Sequence, residues 1–187
     1  MAEIQRYPFS KDALNDLRDN AFAAGNWPLV YVLSDEKHGR AYIGETTDTL
    51  TRMSTHLKHD EKQLLTAVHL ITSEYFNKSA TLDVESLLIK YMAADGKYTL
   101  LNGNLGLADH NYYQRSALYE EVFREVWNRL IAKGVVSRTL DHLDNSDVFK
   151  YSPYKSLSFD QRQGLLTILH ELTNPGVQNI VVEGGAG

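Results

Sequence analysis

Apolar residues along this chain change spacing several times, and each change marks an expected element. Ala13, Leu14, Leu17, Ala21 and Phe22 recur at helical intervals, with Ser10 placed to cap and Gly25-Asn26 to stop the pattern, so residues 1–27 read as a helical extension. Pro28 to Leu33 is a short β-rich run, Ser34 to Gly39 is polar and turn-like, and Arg40 to Gly44 is a second run, together a hairpin. Leu50, Met53 and Leu57 predict a helix over Asp48–Lys58; Thr66–Thr72 reads as a strand and Asp83–Ala93 as a core helix. The following Leu101-Asn102-Gly103-Asn104 has turn composition.

Further on, Tyr119, Val122, Phe123, Val126, Trp127, Leu130 and Ile131 form one wide apolar stripe, a helix over Tyr119–Lys133. Asp141–Pro153 is polar and reads as a linker. Leu165, Leu166, Ile168 and Leu169 mark a helix over Phe159–Leu172, broken by Thr173-Asn174-Pro175-Gly176. Asn179–Glu183 then reads as a strand running into Gly184-Gly185-Ala186-Gly187.

Composition narrows the classes. The chain has 187 residues, 43% hydrophobic and 23% charged, which suits a globular protein of one to one and a half domains. With no Cys, disulfides, Fe–S clusters and thiolate zinc sites are excluded. No apolar run is long enough to span a membrane, and the first residues lack the build of a signal peptide, so the expectation is a cytoplasmic, bacterial-type protein. The balance of 19 Lys+Arg against 24 Asp+Glu, net −5, argues against a protein that coats nucleic acid, although it allows a local basic cleft.

Candidate chemistry collects in the middle of the chain. With the hairpin turn centred between Glu36 and Lys37, Tyr31 and Tyr42 stand opposite each other on one face. Arg52 and His56, four apart, share a helical face. Glu85 sits within an apolar helix, where a carboxylate needs a partner, a metal or a route to solvent. Each feature also has a plain reading: packed tyrosines, a solvated helix face, a carboxylate at a helix edge, asparagines in a turn.

The joint order of these features resembles the GIY-YIG nuclease superfamily over residues 28–107. Leu29-Val30-Tyr31 stands for the first motif, with Leu in place of the usual Gly, and Tyr42-Ile43-Gly44 for the second. Glu45-Thr46-Thr47, Arg52, His56, Asn77-Lys78-Ser79, Glu85 and Asn102-Gly103-Asn104 follow in order. The resemblance implies an α/β (α+β) domain, a three-stranded antiparallel sheet flanked by helices, here with additional N- and C-terminal helices. It implies one divalent metal, Mg²⁺ or Mn²⁺, on Glu85, and hydrolysis of DNA. Arg52 would clamp the phosphate; Tyr31 or Tyr42 would take the proton from water, Tyr42 being favoured, with His56 as a relay. Gly44, Thr46, Lys78, Asn102 and Asn104 would order or contact the substrate. The altered first motif and the acidic charge leave a rival, an inactive domain of this type that binds DNA or docks a partner.

Beyond residue 108, His110-Asn111-Tyr112-Tyr113-Gln114-Arg115 suits either base stacking or packing of the next helix. Gly184-Gly185-Ala186-Gly187 after a strand fits the start of a P-loop or a flexible Gly tail. The glutamine-bearing segment Phe159–Gln163 resembles the one preceding the P-loop in superfamily 1 helicases. On that resemblance, 109–150 is a connector and 151–187 opens a helicase-like ATPase domain of a longer chain. No ATP binding is expected of these residues alone, because no P-loop Lys is present.

Overall fold

The computed structural model describes residues 1–103, 118–146 and 167–168. Strands β2 (Leu29–Asp35) and β3 (Arg40–Thr46) form the expected hairpin, and β4 (Ala67–Thr72) pairs antiparallel with the other side of β2. The expected three-stranded antiparallel sheet is therefore present, but it is the middle of a five-stranded one, in the order β1-β4-β2-β3-β5. Strand β1 (Glu3–Pro8) is antiparallel to β4, and the two-residue β5 (Thr99–Leu100) is parallel to β3.

The first strand corrects the helical reading of residues 1–27. Within Glu3–Pro8 only Ile4 is buried, so an edge strand leaves no apolar alternation to detect. Helical character begins later, in short 3₁₀ turns at Asp12–Leu14 and Asp16–Asp19 and in α1 (Ala21–Ala24). Ser10 does act as a cap, accepting from the Ala13 amide, and Asn20 caps α1 by accepting from the Phe22 and Ala23 amides.

Two apolar layers sandwich the sheet. One face carries Val30, Val32, Ala41, Ile43 and Ile71, covered by α3 (Lys78–Asp95) and α4 (Arg124–Ala132). The other carries Leu29, Tyr31, Leu33, Val68 and Leu70, covered by α2 (Thr49–His56) through Met53 and by Leu17. Helix α3 starts five residues earlier than expected because Asn77 caps it, its side chain accepting from the Ala80 amide; Gly96, at φ 71, ends it. The Tyr119–Lys133 stripe is helical, but begins as a π-helical turn over Leu118–Phe123. Part of the expected 141–153 linker is helical instead, as α5 (Leu140–Asp144), capped by Thr139 and docked by Leu140 and Leu143. Buried Asp95 fixes that region: its carboxylate accepts from the Ser137 amide and hydroxyl and from the Arg138 amide.

Thr167 and Ile168 are helical, within the 159–172 expectation. The remainder of that helix, the 179–183 strand, the glycine run, the aromatic group at 110–115 and Asn104 lie outside the described residues.

Candidate active site

The hairpin sets the first part of the site, in a different register from the expected one. Asp35 pairs with Arg40, leaving Glu36–Gly39 as the loop; Asp35 Oδ1 accepts from the Lys37 amide, and Gly39 supplies the positive φ of 62° that the return requires. Tyr42 consequently faces Leu33, and Tyr31 faces Gly44. The shift amounts to two residues, so parity is kept. The two tyrosines remain on one face as diagonal neighbours, their ring centroids 6.3 Å apart.

Gly44 provides the floor for Tyr31. A Cβ at this position would stand 2.2 Å from the Tyr31 hydroxyl and 2.4 Å from Cζ. The close approach that glycine allows here is therefore filled by the protein's own tyrosine. Tyr31 is 1% exposed, and its hydroxyl lies 2.7 Å from His56 Nε2. His56, brought over the same face by α2, also packs edge-on against Tyr42, with centroids 5.1 Å apart. Arg52, one turn earlier on α2, is exposed at the rim, where its charge acts on both tyrosines and on Glu85.

The far wall is α3. Glu85 is half-buried, and burial together with the neighbouring Glu45 carboxylate pushes its pKa up to about 7, against the pull of Lys78 and Arg52. Glu45 points to the α3 side because its parity is opposite to that of Tyr42. Its Oε1 accepts from Lys78 Nζ at 2.5 Å, while Thr81 Oγ1 donates to Oε2 at 3.4 Å. Sequence reasoning named Glu45 only as part of the motif and missed it as the partner of Glu85. That opposite parity was the available signal.

These walls meet across an open strand edge. β5 pairs only with Arg40 and Ala41; next along, Asn102 replaces a strand with its side chain. Its Oδ1 accepts from the Ile43 amide at 3.0 Å and its Nδ2 donates to the Ile43 carbonyl at 2.8 Å. Among the described residues no strand pairs with this edge of β3 from Tyr42 to Thr46. Thr46 is buried, its Oγ1 accepting from the Asp48 amide, and Asp48 caps α2. Of the expected substrate contacts, Gly44, Thr46, Lys78 and Asn102 are thus all engaged within the protein.

Lys62 was not singled out from the sequence. It comes from a 3₁₀ turn, Lys62–Leu64, and its ammonium lies 3.6 Å from the centroid of the Tyr42 ring. No periodic pattern marks such a turn. Burial and Arg52 lower the Lys62 pKa.

Electrostatics sort the groups. Burial raises Tyr31 far above an ordinary tyrosine. Tyr42 is raised too, by burial and Glu85, but Arg52 and a hydrogen bond from Tyr31 oppose that rise. Burial, then Lys62 and Arg52, lower His56 to about 4, so its imidazole is neutral at pH 7. His69, on the opposite face of the sheet, is also lowered to about 4, chiefly by burial. Both folded values lie below the unfolded value near 6.5, so the unfolded chain binds more protons between pH 6.5 and 4. Stability present above pH 6.5 is accordingly expected to fall by about 2 kcal/mol per histidine by pH 4. Urea unfolding across that range checks this; a His56→Gln variant with an unchanged pH slope would contradict it.

The donors suit a single-carboxylate cation site. No group of three or more His, Cys, Asp or Glu able to hold a metal occurs among the described residues. Glu85, though, is a carboxylate held near neutrality beside a second carboxylate, and a hard cation with a mostly water shell relieves that repulsion.

Comparison with known proteins places this geometry. Residues 28–98 match the GIY-YIG catalytic domain. The GIY-YIG match takes in Tyr31, Tyr42, Glu45, Arg52, His56, Lys62 and Glu85 and stops short of Asn102. Neither curated proteins nor solved structures gave a match. The matched model is that of a nuclease domain, and the match does not reach residues 151–187. Among the described residues no helix is long and apolar enough to cross a membrane.

Proposed function

We propose that the chain is a metal-dependent endonuclease that hydrolyses DNA phosphodiester bonds at the open edge of β3. The observation that carries this reading is the convergence of Tyr42, Arg52 and Glu85 from three elements on one unpaired strand edge, inside the GIY-YIG match. Arg52 offers a planar fork of donors to nonbridging phosphate oxygens. Glu85 would hold Mg²⁺ or Mn²⁺, which when bound supplies charge neutralisation at the phosphate.

Tyr42 accepts the proton of the attacking water as its phenolate, its own phenol proton having first left for solvent, and the Arg52 charge stabilises that phenolate against the pull of burial and Glu85. Tyr31 is buried and committed to His56, whereas Tyr42 is partly exposed. With Nε2 of His56 protonated, His56 donates to Tyr31 and Tyr31 to Tyr42, a chain that favours negative charge on the Tyr42 oxygen. Arg52 beside it and Lys62 over its ring add to that preference. Tyr31 and His56 therefore position and polarise Tyr42.

Nicking of supercoiled plasmid in Mn²⁺ and in EDTA, by wild type, Tyr31→Phe and Tyr42→Phe, tests the assignment. Metal-dependent nicking is expected, reduced about 10²-fold or more in Tyr42→Phe and about tenfold in Tyr31→Phe. The reverse order would move the base to Tyr31. Equal nicking by all three proteins in EDTA would end the proposal, and no nicking by the wild type in Mn²⁺ would end it in favour of the rival, an inactive module that binds DNA or docks a partner.

The wider setting rests on sequence. We place this nuclease in a bacterial, cytoplasmic protein of DNA repair or defence, joined to a helicase-like P-loop ATPase beginning in residues 151–187 and having no ATP affinity within those residues. The support is the strand-to-glycine pattern at Asn179–Gly187 and the glutamines before it.

A further inference from the structure

A second polar concavity lies at the hairpin end of the sheet. It encloses about 380 Å³ and is lined by Arg6, Ser34, Asp35, Lys37, His38 and His69 among others, none of them placed in the candidate active site. Two of its wall groups are buried without partners. His69 is 5% exposed and Ser34 1%, yet neither His69 Nδ1 nor Ser34 Oγ makes a hydrogen bond. The Tyr98 hydroxyl stands beside Ser34 and the Glu36 carboxylate, both of which act on it. Leaving such groups unmade costs about 1–3 kcal/mol each, so a ligand that satisfies them gains what the empty cavity forgoes.

The charges around the concavity select the ligand's sign. Its acids are already answered: Asp35 Oδ2 lies 2.5 Å from His38 Nδ1 and its Oδ1 accepts from the Lys37 amide, while Glu36 lies 3.7 Å from Lys97 Nζ. Its cations are not. Among the described residues, no carboxylate comes within 4 Å of the Arg6 guanidinium or the Lys37 ammonium, although Arg6 is near enough for its charge to act on His69. Two cations and two carboxylates thus line the concavity, and it is the cations that lack an ion-pair partner beside the orphaned neutral groups.

We propose that this concavity binds a phosphate monoester, carried by a nucleotide or by the 5′ end of a nucleic-acid strand. A monoester has terminal oxygens for a guanidinium fork and an ammonium, and at neutral pH it exchanges between singly and doubly charged forms. An imidazole nitrogen donates or accepts according to its tautomer, so His69 Nδ1 matches a phosphate oxygen with or without its proton. The volume accommodates the phosphate and its sugar, within the usual range for small-ligand sites. A phosphodiester inside a duplex is excluded by shape, because its two ester bonds continue into chain on both sides.

The test is calorimetric titration of the full chain in EDTA, so that no cleavage contributes. Inorganic phosphate, a nucleoside 5′-monophosphate, and a short single strand with and without a 5′-phosphate are the probes. Saturable binding by a phosphate-bearing probe is expected, with Arg6→Gln and Lys37→Gln each weakening it about tenfold and the His69 Nδ1 resonance shifting on binding. Both substitutions are at exposed positions, so the fold is retained, which circular dichroism verifies. Monophosphate binding alone assigns a free nucleotide, and binding of the phosphorylated strand alone assigns a strand end. Binding that ignores the phosphate, ignores both substitutions or leaves His69 unmoved overturns the proposal, as does no binding by any probe. All these readouts are independent of nicking.

Discussion

Replacing Glu85 by Gln is expected to stabilise the metal-free protein above pH 7 while removing its nuclease activity. Glu85 has a folded pKa near 7 against 4.5 for a free side chain, because burial and Glu45 disfavour its charge. The native state therefore holds more protons than the unfolded state between those values, and wild type loses stability as pH rises through that window. Gln carries no charge to desolvate. Since Glu85 is only half-buried, solvent screening reduces the gain to about 1–2 kcal/mol at pH 8, and no difference is expected below pH 4.5. Denaturant melts in EDTA at pH 4 and pH 8 measure this directly. Nicking by the same variant in Mn²⁺ is expected to fall by about 10²–10³-fold, the scale of removing one electrostatic contributor to a transition state. A site that costs stability and is needed for reaction has the signature of function. Equal stability at pH 8 would remove the physical basis assigned to Glu85.

The second large effect is at Gly44. In Gly44→Ala the new methyl group would overlap the Tyr31 ring at Cζ and Cε2 as well as at the hydroxyl, so trimming the hydroxyl alone does not relieve it. The ring has no free space to enter: it is fully buried beneath α2 and tied to His56. Overpacking of this kind costs about 1–3 kcal/mol. Displacing Tyr31 also breaks the line from His56 to Tyr42, and a shift on the order of 1 Å in such groups lowers rates by about 10²-fold. Gly103→Ala is the matched control, since no described residue lies within 4 Å of a Cβ there. Thermal melts and nicking rates of the two variants should separate cleanly. A Gly44→Ala protein as stable and active as the Gly103→Ala protein would mean that Tyr31 does not rest on this floor.

What the sequence revealed of this site follows from which features repeat. Period-two alternation put Tyr31 and Tyr42 on one face even though the turn was centred two residues away, since parity survives an even shift. Helical spacing put Arg52 and His56 on one face of α2. Features without a period stayed hidden. β1 is an edge strand with a single buried side chain, β5 has two residues, and Lys62 sits in a three-residue turn. Glu45 was in view but its partner was not, because its pairing with Glu85 joins a strand to a helix forty residues further on. The concavity at Arg6 and His69 depends on β1 lying beside β4, where Arg6 pairs with His69, so it could not be foreseen once residues 1–27 were read as helical.

On the proposed reading, three walls around the open edge of β3 act on one phosphodiester. Nicking of supercoiled plasmid in Mn²⁺ is to be measured for wild type beside Arg52→Gln from α2, Glu85→Gln from α3 and Tyr42→Phe from β3, with Lys133→Gln, at an exposed position, as the control outside both sites. Metal-dependent nicking is expected of wild type and Lys133→Gln, with a loss of about 10²-fold or more in each of the other three. Wild-type nicking that persists in any two of those three variants would contradict it.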